Sequence, residues 1–343
     1  MKVSNDKASI FKRKLPAYYF IPVFLLSAFI CYLFYQNSKH TTDVMPSPVS
    51  GSNTSDQFNI KRLDGYKHIK PLLFAEREFE SGNLALVKQD LVNLIEEEKK
   101  KGKLLSASVY LRVFSKGDWI SINQDSLYHP ASMNKVPILI TYLHLAESNN
   151  SIMNQKLSFV KHDDALPVQN YTSKTLQPGH SYTIQELLHY MIAYSDNDAT
   201  LLLLQHINLE VYNKVFTDIG LPKPSFKFDE FLMTARQYSL FMKELYNASY
   251  LSIPVSEYAV NLLTECDFKE GLLKKLPPNV MVAHKFGESG YRNIFELHES
   301  GIIYMGKNAY LLTVMTRGTD SKYLGGLIAD ISYQVFNKVT FDN

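Results

Sequence analysis

Strand-like alternation falls near the start of the folded part of this sequence and again near its end, with helical periodicity between, and this placement restricts the fold most. Ser106 to Phe114 alternates like a strand, Lys116-Gly117 makes a tight turn, and Asp118 to Asn123 forms the second arm of a hairpin. The remaining strand signals are Val280–Phe286, Ile294–Tyr304 and Tyr310–Arg317. Two early strands, a helical middle and three late strands imply an α+β fold. One antiparallel five-stranded sheet is formed by both chain ends, and an all-helical lobe is inserted between them.

The helices follow from apolar spacing and end signals. Asn83–Lys101 carries Leu84, Leu86, Val87, Leu91, Leu94 and Ile95 and stops at Lys99-Lys100-Lys101-Gly102, cations followed by a glycine. A helix runs from Ser132 to about Glu147. Thr183 caps another that ends at Tyr194, and Thr234 caps one through Leu245. Val255–Leu263 and Ser321–Phe336 complete the set. The segment through Leu201–Leu204 is apolar on nearly every side and is expected to be the buried central helix. Residues 151–180 and Gly220–Met233 read as loops.

Ahead of this domain the composition changes three times. Residues 1–14 form a basic tail, with Lys2, Lys7, Lys12, Arg13 and Lys14 against Asp6. Leu15–Tyr35 is uncharged, and 21 residues at ~1.5 Å each can cross a ~30 Å hydrocarbon core. The positive flank places the N-terminus in the cytoplasm and the rest of the chain outside. No small-x-small cleavage site follows the apolar run, which favours a retained single-pass transmembrane signal-anchor over a removed signal peptide. The expected organisation is a tail at 1–14, a transmembrane helix at 15–36, a Ser/Thr/Pro-rich flexible linker at 37–58 and one domain at 59–343.

Composition excludes several functions. Lys and Arg number 36 against 34 Asp and Glu, with no basic stripe, so nucleic acid is not an expected partner. The two cysteines, Cys31 and Cys266, lie in different segments and provide neither a disulfide framework nor a zinc pattern. Cys266, flanked by Glu265 and Asp267, reads as an inert, partly buried thiol with a raised pKa. Histidines are scattered without metal-binding spacing, and neither metal nor cofactor is expected. The domain is expected to be monomeric.

Three short pieces carry chemistry. In Pro130-Ala131-Ser132-Met133-Asn134-Lys135 a serine precedes a lysine by three residues at a helix start, so the two share a face. A neutral lysine beside a hydroxyl is a general-base arrangement for a nucleophilic serine. By itself this spacing is weak, since Ser4/Lys7 and Ser158/Lys161 repeat it. Ser195-Asp196-Asn197 stands at a helix–helix break, and Lys285-Phe286-Gly287 lies at the end of a strand.

In this order and on these element types, the three pieces resemble the class A β-lactamases and the related penicillin-binding DD-peptidases over roughly residues 82–338. The resemblance implies Ser132 as acyl-accepting nucleophile and Lys135 as its proton acceptor. Ser195 would pass a proton to the leaving nitrogen, and Lys285 would face Ser195 and the substrate carboxylate. Asn197, Gly287 and Glu288 would bind substrate, with the backbone N–H groups of Ser132 and Glu288 as the oxyanion hole.

There are two departures from the family pattern. Phe286 stands where the family has a threonine or serine hydroxyl for the substrate carboxylate, a loss of about 1.5–3 kcal/mol. The family's Glu-x-x-Leu-Asn loop segment is absent, leaving Asp229 or Glu230 as candidate water activators. The expected function is therefore a membrane-anchored extracytoplasmic serine hydrolase that acylates on β-lactams and deacylates slowly. The alternatives are a DD-peptidase or other hydrolase of cell-wall peptides, and a non-catalytic sensor or binding module for β-lactam or peptidoglycan.

Overall fold

The computed structural model describes residues 58–163, 170–171, 173–225, 227 and 230–339. The basic tail, the expected transmembrane helix at 15–36 and all of the linker but Phe58 lie outside the described residues. Among the described residues, no helix is long and apolar enough to cross a membrane.

A hairpin opens the described chain, β1 (Phe58–Arg62) paired antiparallel with β2 (Leu72–Arg77). Then come α1 (Ala85–Lys100), β3 (Leu104–Val113) and β4 (Asp118–Ile122). A 3₁₀ turn, Ala131–Asn134, leads into α2 (Lys135–Ser148). Two short strands, β5 (Lys156–Phe159) and β6 (His180–Thr183), pair across a stretch expected to be wholly irregular. The rest of the lobe is α3 (Ile184–Ala193), α4 (Asn197–His206), α5 (Leu209–Asp218), α6 (Ala235–Asn247) and α7 (Ile253–Thr264). The chain returns to the sheet as β7 (Val282–Tyr291), β8 (Ile294–Met305) and β9 (Asn308–Gly318), and α8 (Ser321–Lys338) ends it. Both threonine caps form full capping boxes, Thr183 with Glu186 and Thr234 with Gln237.

The main sheet has five antiparallel strands in the order β4-β3-β9-β8-β7, so strands from both chain ends interleave as the periodicity predicts. Alternation sends each strand's side chains to two cores. Val109, Leu111, Leu312 and Val314 pack with α1 and α8 on one face; Tyr110, Leu311 and Met315 join the helical lobe on the other. A large buried side chain contributes about 1.5–3 kcal/mol, so both faces of the sheet are held by burial. Strand β7 is an edge, and beside it lies the 3₁₀ turn that carries Ser132.

The central helix differs from the expectation. Within α4 only Ala199 and Leu203 are fully buried, and Leu201, Leu202 and Leu204 are half-covered. Instead α2 is buried continuously from Lys135 to Leu143. The reason is position: α2 packs against α3, α5 and α7, whereas α4 packs mainly against α3.

Candidate active site

The Ser132 turn is fixed from three sides. Tyr128 exchanges two backbone hydrogen bonds with Met233 (3.0 and 2.9 Å) at the end of the Gly220–Met233 loop. The His129 N–H donates to Glu296 (3.2 Å), and His298 Nε2 donates to the His129 carbonyl (3.0 Å). Pro137 lacks the N–H that would serve the Met133 carbonyl in a helix, and the buried Tyr238 hydroxyl donates there instead at 2.9 Å. Ala131 takes a positive φ of 48°, a conformation costly for a residue with a Cβ.

Gly287 explains how close strand β7 comes. A Cβ there would stand 2.5 Å from the Pro130 carbonyl and 2.9 Å from the Met133 nitrogen. Only glycine permits that approach, which sets Gly287 and its neighbour Glu288 against the turn holding half-buried Ser132. Contact thus brings the first and third sequence pieces together.

The second piece joins them through hydrogen bonds. Lys135 Nζ donates to the Ser195 carbonyl (2.5 Å), to Ser195 Oγ (3.2 Å) and to Asn197 Oδ1 (2.9 Å). Lys285 Nζ donates to Ser195 Oγ at 2.9 Å and to the Phe286 carbonyl at 3.1 Å. The Ser195 hydroxyl therefore bridges two buried lysines. Its backbone adopts φ 55°, which turns both its oxygens toward Lys135. Asp196, unremarked in the sequence beyond its motif, anchors this break by accepting from the Ala199 N–H (2.6 Å) and the Leu176 N–H (3.2 Å).

Electrostatics favour a neutral Lys135. Burial lowers its pKa well below the ordinary lysine value, and the positive charge of Lys285 lowers it further, against the opposing pull of Asp196 and Glu288. Burial also pushes Lys285 down to about 8, although nearby acidic groups favour its charge. The downward shift favours the uncharged form of Lys135, while a value of about 8 leaves Lys285 an ammonium near neutrality; a base and an electrostatic stabiliser need that division of labour.

Beneath β7 is a second buried set that the sequence did not reveal. Cys266 is completely buried rather than partly so. Burial raises its thiol, but His284 and Lys285 outweigh that and leave its pKa below the ordinary value, opposite to the expected direction. His284 contacts Glu299 at 2.6 Å and the Cys266 carbonyl at 3.2 Å.

The water-activator candidates do not join the cluster among the described residues. Glu230 is exposed and its carboxylate is taken by Lys227 (2.7 Å) and Ser225 (2.9 Å), the lysine contact first holding its pKa below the ordinary carboxylate value. Asp229 lies outside the described residues. No group of three or more His, Cys, Asp or Glu among the described residues could hold a metal ion.

The sequence pattern of the β-lactamase enzyme family matches residues 86–339. The chain belongs to that family. Relatives bear out the class A-like fold. β-Lactamase VEB-1 of Pseudomonas aeruginosa is 24% identical over 209 residues, 56% of this chain and 70% of its own. A PBP-A variant solved as an acyl-enzyme complex with penicillin G superposes with a TM-score of 0.62 at 20% identity, covering 75% of this chain and 98% of that one. The TLA-1 extended-spectrum β-lactamase gives 0.64 at 21% identity, covering 73% and 98%. Within this β-lactamase fold, Lys135, Ser195, Asn197 and Lys285 form one hydrogen-bonded cluster, and the turn that carries Ser132 lies against Gly287.

Proposed function

We propose that this β-lactamase-family protein is a serine hydrolase that forms an acyl-enzyme on Ser132, with β-lactams among its acyl donors. The observation that carries this reading is the Ser195 hydroxyl held between Lys135 at 3.2 Å and Lys285 at 2.9 Å. Neutral Lys135 takes the proton of Ser132 Oγ as that oxygen attacks the substrate carbonyl. Ser195 delivers a proton to the departing nitrogen and is reprotonated from the lysine side, so the amide bond breaks as the ester forms. Backbone N–H groups at 132 and 288 receive the developing oxyanion. Charged Lys285 stabilises the negative charge that builds on this relay.

Hydrolysis of the ester needs an activated water, and Glu230 is tied to Lys227 and Ser225. Acylation is therefore fast relative to deacylation, which favours a penicillin-binding peptidase acting on cell-wall peptides as the second reading. In the cell, the domain would stand outside the cytoplasmic membrane, held by the segment at 15–36.

Fluorescent penicillin and the purified full chain in detergent provide the test. Stable labelling that Ser132→Ala abolishes supports an acyl-enzyme with slow turnover. Transient labelling with nitrocefin hydrolysis supports an efficient β-lactamase. Absence of labelling with every acyl donor would leave a binding module.

A further inference from the structure

Hairpin β1–β2 stands ahead of residues 86–339, the part of the chain that the family pattern covers. Its two faces differ. The antiparallel register sets Lys61 opposite Phe74 and Asn59 opposite Glu76 on the face turned toward the domain. There Glu76 is buried and the Phe74 ring centroid lies 3.7 Å from Lys243 Nζ. Phe58 and Ile60 occupy the alternate face, with Ile60 opposite Ala75. No described residue covers that face: Phe58 is 49% exposed, Ile60 60% and Leu72 47%. The turn between the strands adds Tyr66 at 55% and Ile69 at 60%. Apolar side chains exposed singly are ordinary, but several gathered on one hairpin mark a surface that lacks its partner.

Charge and chain route indicate what that partner is. Between Phe58 and Leu72 the cations Lys61, Arg62, Lys67 and Lys70 stand against one acid, Asp64, which pairs with Lys70 at 3.5 Å. Arg62, Lys67 and Lys70 are exposed. Lysine and arginine lay their alkyl stems along apolar surface while the charged heads reach outward, and tyrosine suits the same boundary. This mixture fits the headgroup layer of a bilayer, where anionic phospholipid supplies the opposite charge. Residues 37–57 separate Phe58 from the segment at 15–36, and a polar tether of that length spans roughly 25 Å. The hairpin is the first described element after the proposed span. A lipid contact there is effectively intramolecular, at a local concentration on the order of millimolar, so it need not be strong by itself.

We propose that the outer face of hairpin β1–β2, with its turn at Tyr66 and Ile69, docks on the surface of an anionic phospholipid bilayer. The tether argument rests on residues 15–36 crossing that membrane, as proposed above. Phe58, Ile60 and Leu72 supply the apolar contact, and Arg62, Lys67 and Lys70 supply the charge. This second attachment restricts the domain's rotation about its tether.

Photo-cross-linking of the full chain in lipid nanodiscs tests this. The discs hold phosphatidylcholine and a phosphatidylglycerol whose acyl chain carries a diazirine close to the glycerol, and adducts are mapped by peptide mass spectrometry. Adducts are expected on residues 58–72 as well as on 15–36. Ile60→Asp removes those at 58–72, and Lys67→Ala lowers them about fivefold. Both side chains are exposed, so the melting temperature stays that of the wild type. Adducts at 15–36 alone overturn the docking and leave the membrane span standing. Adducts at 58–72 alone keep the docking and remove the span, and adducts at neither remove both. Adducts at 58–72 that persist unchanged in Ile60→Asp reflect proximity to the tether and overturn the proposal. Cross-links joining residues 58–72 of two copies, in place of lipid adducts, assign the face to self-association and overturn it equally.

Discussion

Two buried lysine clusters sit on the helical-lobe side of this protein, and they are opposites. At one, Lys135 and Lys285 are surrounded by neutral oxygens of Ser195, Asn197 and Phe286, with no carboxylate oxygen in ion-pair distance among the described residues. At the other, Lys243 lies 3.6 Å from Glu76, which also binds Arg112 at 3.1 Å, Arg236 at 2.9 Å and the Tyr110 hydroxyl at 2.5 Å. Burial lowers the pKa of a lysine in both, Lys243 to about 8 despite Glu76. A shifted pKa alone therefore does not mark a catalytic group. The mobile proton belongs where the charge has no fixed counter-ion and a half-exposed hydroxyl stands nearby. The Glu76 cluster instead ties hairpin strand β2 to β3 and α6.

The largest expected effect separates the two lysines. Lys135→Met lowers the rate of Ser132 acylation by about 10²–10⁴-fold, the range of a lost general base. Lys243→Met leaves that rate unchanged and lowers the melting temperature instead. Stopped-flow labelling and thermal unfolding of both variants read the contrast, and equal losses of acylation would erase it.

Next in size is Glu76→Gln, which leaves Arg112 and Lys243 buried without their counter-charge and costs about 3 kcal/mol at pH 7. Burial alone would raise the Glu76 pKa, but Lys243, Tyr110 and Arg236 bring it down to about 2. A depressed carboxylate contributes above its unfolded value of 4.5 and loses that contribution as the pH falls through its folded value. Denaturant midpoints of variant and wild type should therefore converge between pH 4.5 and about 2. A gap that persists in acid would mean the carboxylate is not the linchpin.

The same contrast explains what was legible in the sequence. Strands β3, β4, β7, β8 and β9 alternate two buried faces, a local pattern with period two, and all five were visible. Ser132, Lys135, Ser195 and Lys285 were visible because three short motifs, each weak alone, together resemble a known family in their order and on their element types. The Glu76 cluster was not, since its members come from β2, β3 and α6 and only tertiary packing joins them. Hairpin β1–β2 exposes most of β1, whose alternation runs only through Phe58 and Ile60. Helix α5 was missed because its buried residues, Tyr212, Val215 and Phe216, are few and lie among polar ones. Leu201–Leu204 misled because a run of leucines signals burial without saying what will cover it. Phe286 read as a missing hydroxyl, and its aromatic partners Tyr171 and Phe268 are distant in sequence.

Glu244 sharpens the contrast from the structural side. Burial raises its pKa to about 7, against the lowering effects of Ser249 and Lys243. A carboxyl raised in this way contributes fully below pH 4.5 and loses that contribution as the pH climbs through about 7. At pH 8 the fold then holds a poorly compensated buried charge. Glu244→Gln should stabilise the protein by about 2 kcal/mol at pH 8 and by almost nothing at pH 5. An equal gain at both pH values would assign the effect to packing rather than charge.

The smallest effect expected is a shift in a pH profile, and it probes the coupling that the structural cluster lacks. In the proposed mechanism acylation requires Lys135 neutral and Lys285 charged, so the rate should rise as Lys135 loses its proton and fall as Lys285 loses its own near pH 8. The charge on Lys285 helps keep Lys135 unprotonated. Lys285→Met removes that like charge, so the Lys135 pKa rises and the acidic limb moves to higher pH. The alkaline limb disappears, because the group that titrated there is gone. The variant is slower at every pH, but the position of the limb is independent of that loss. An acidic limb that stays in place would mean burial alone keeps Lys135 neutral, and the paired lysines would then act separately rather than as one proton-handling unit.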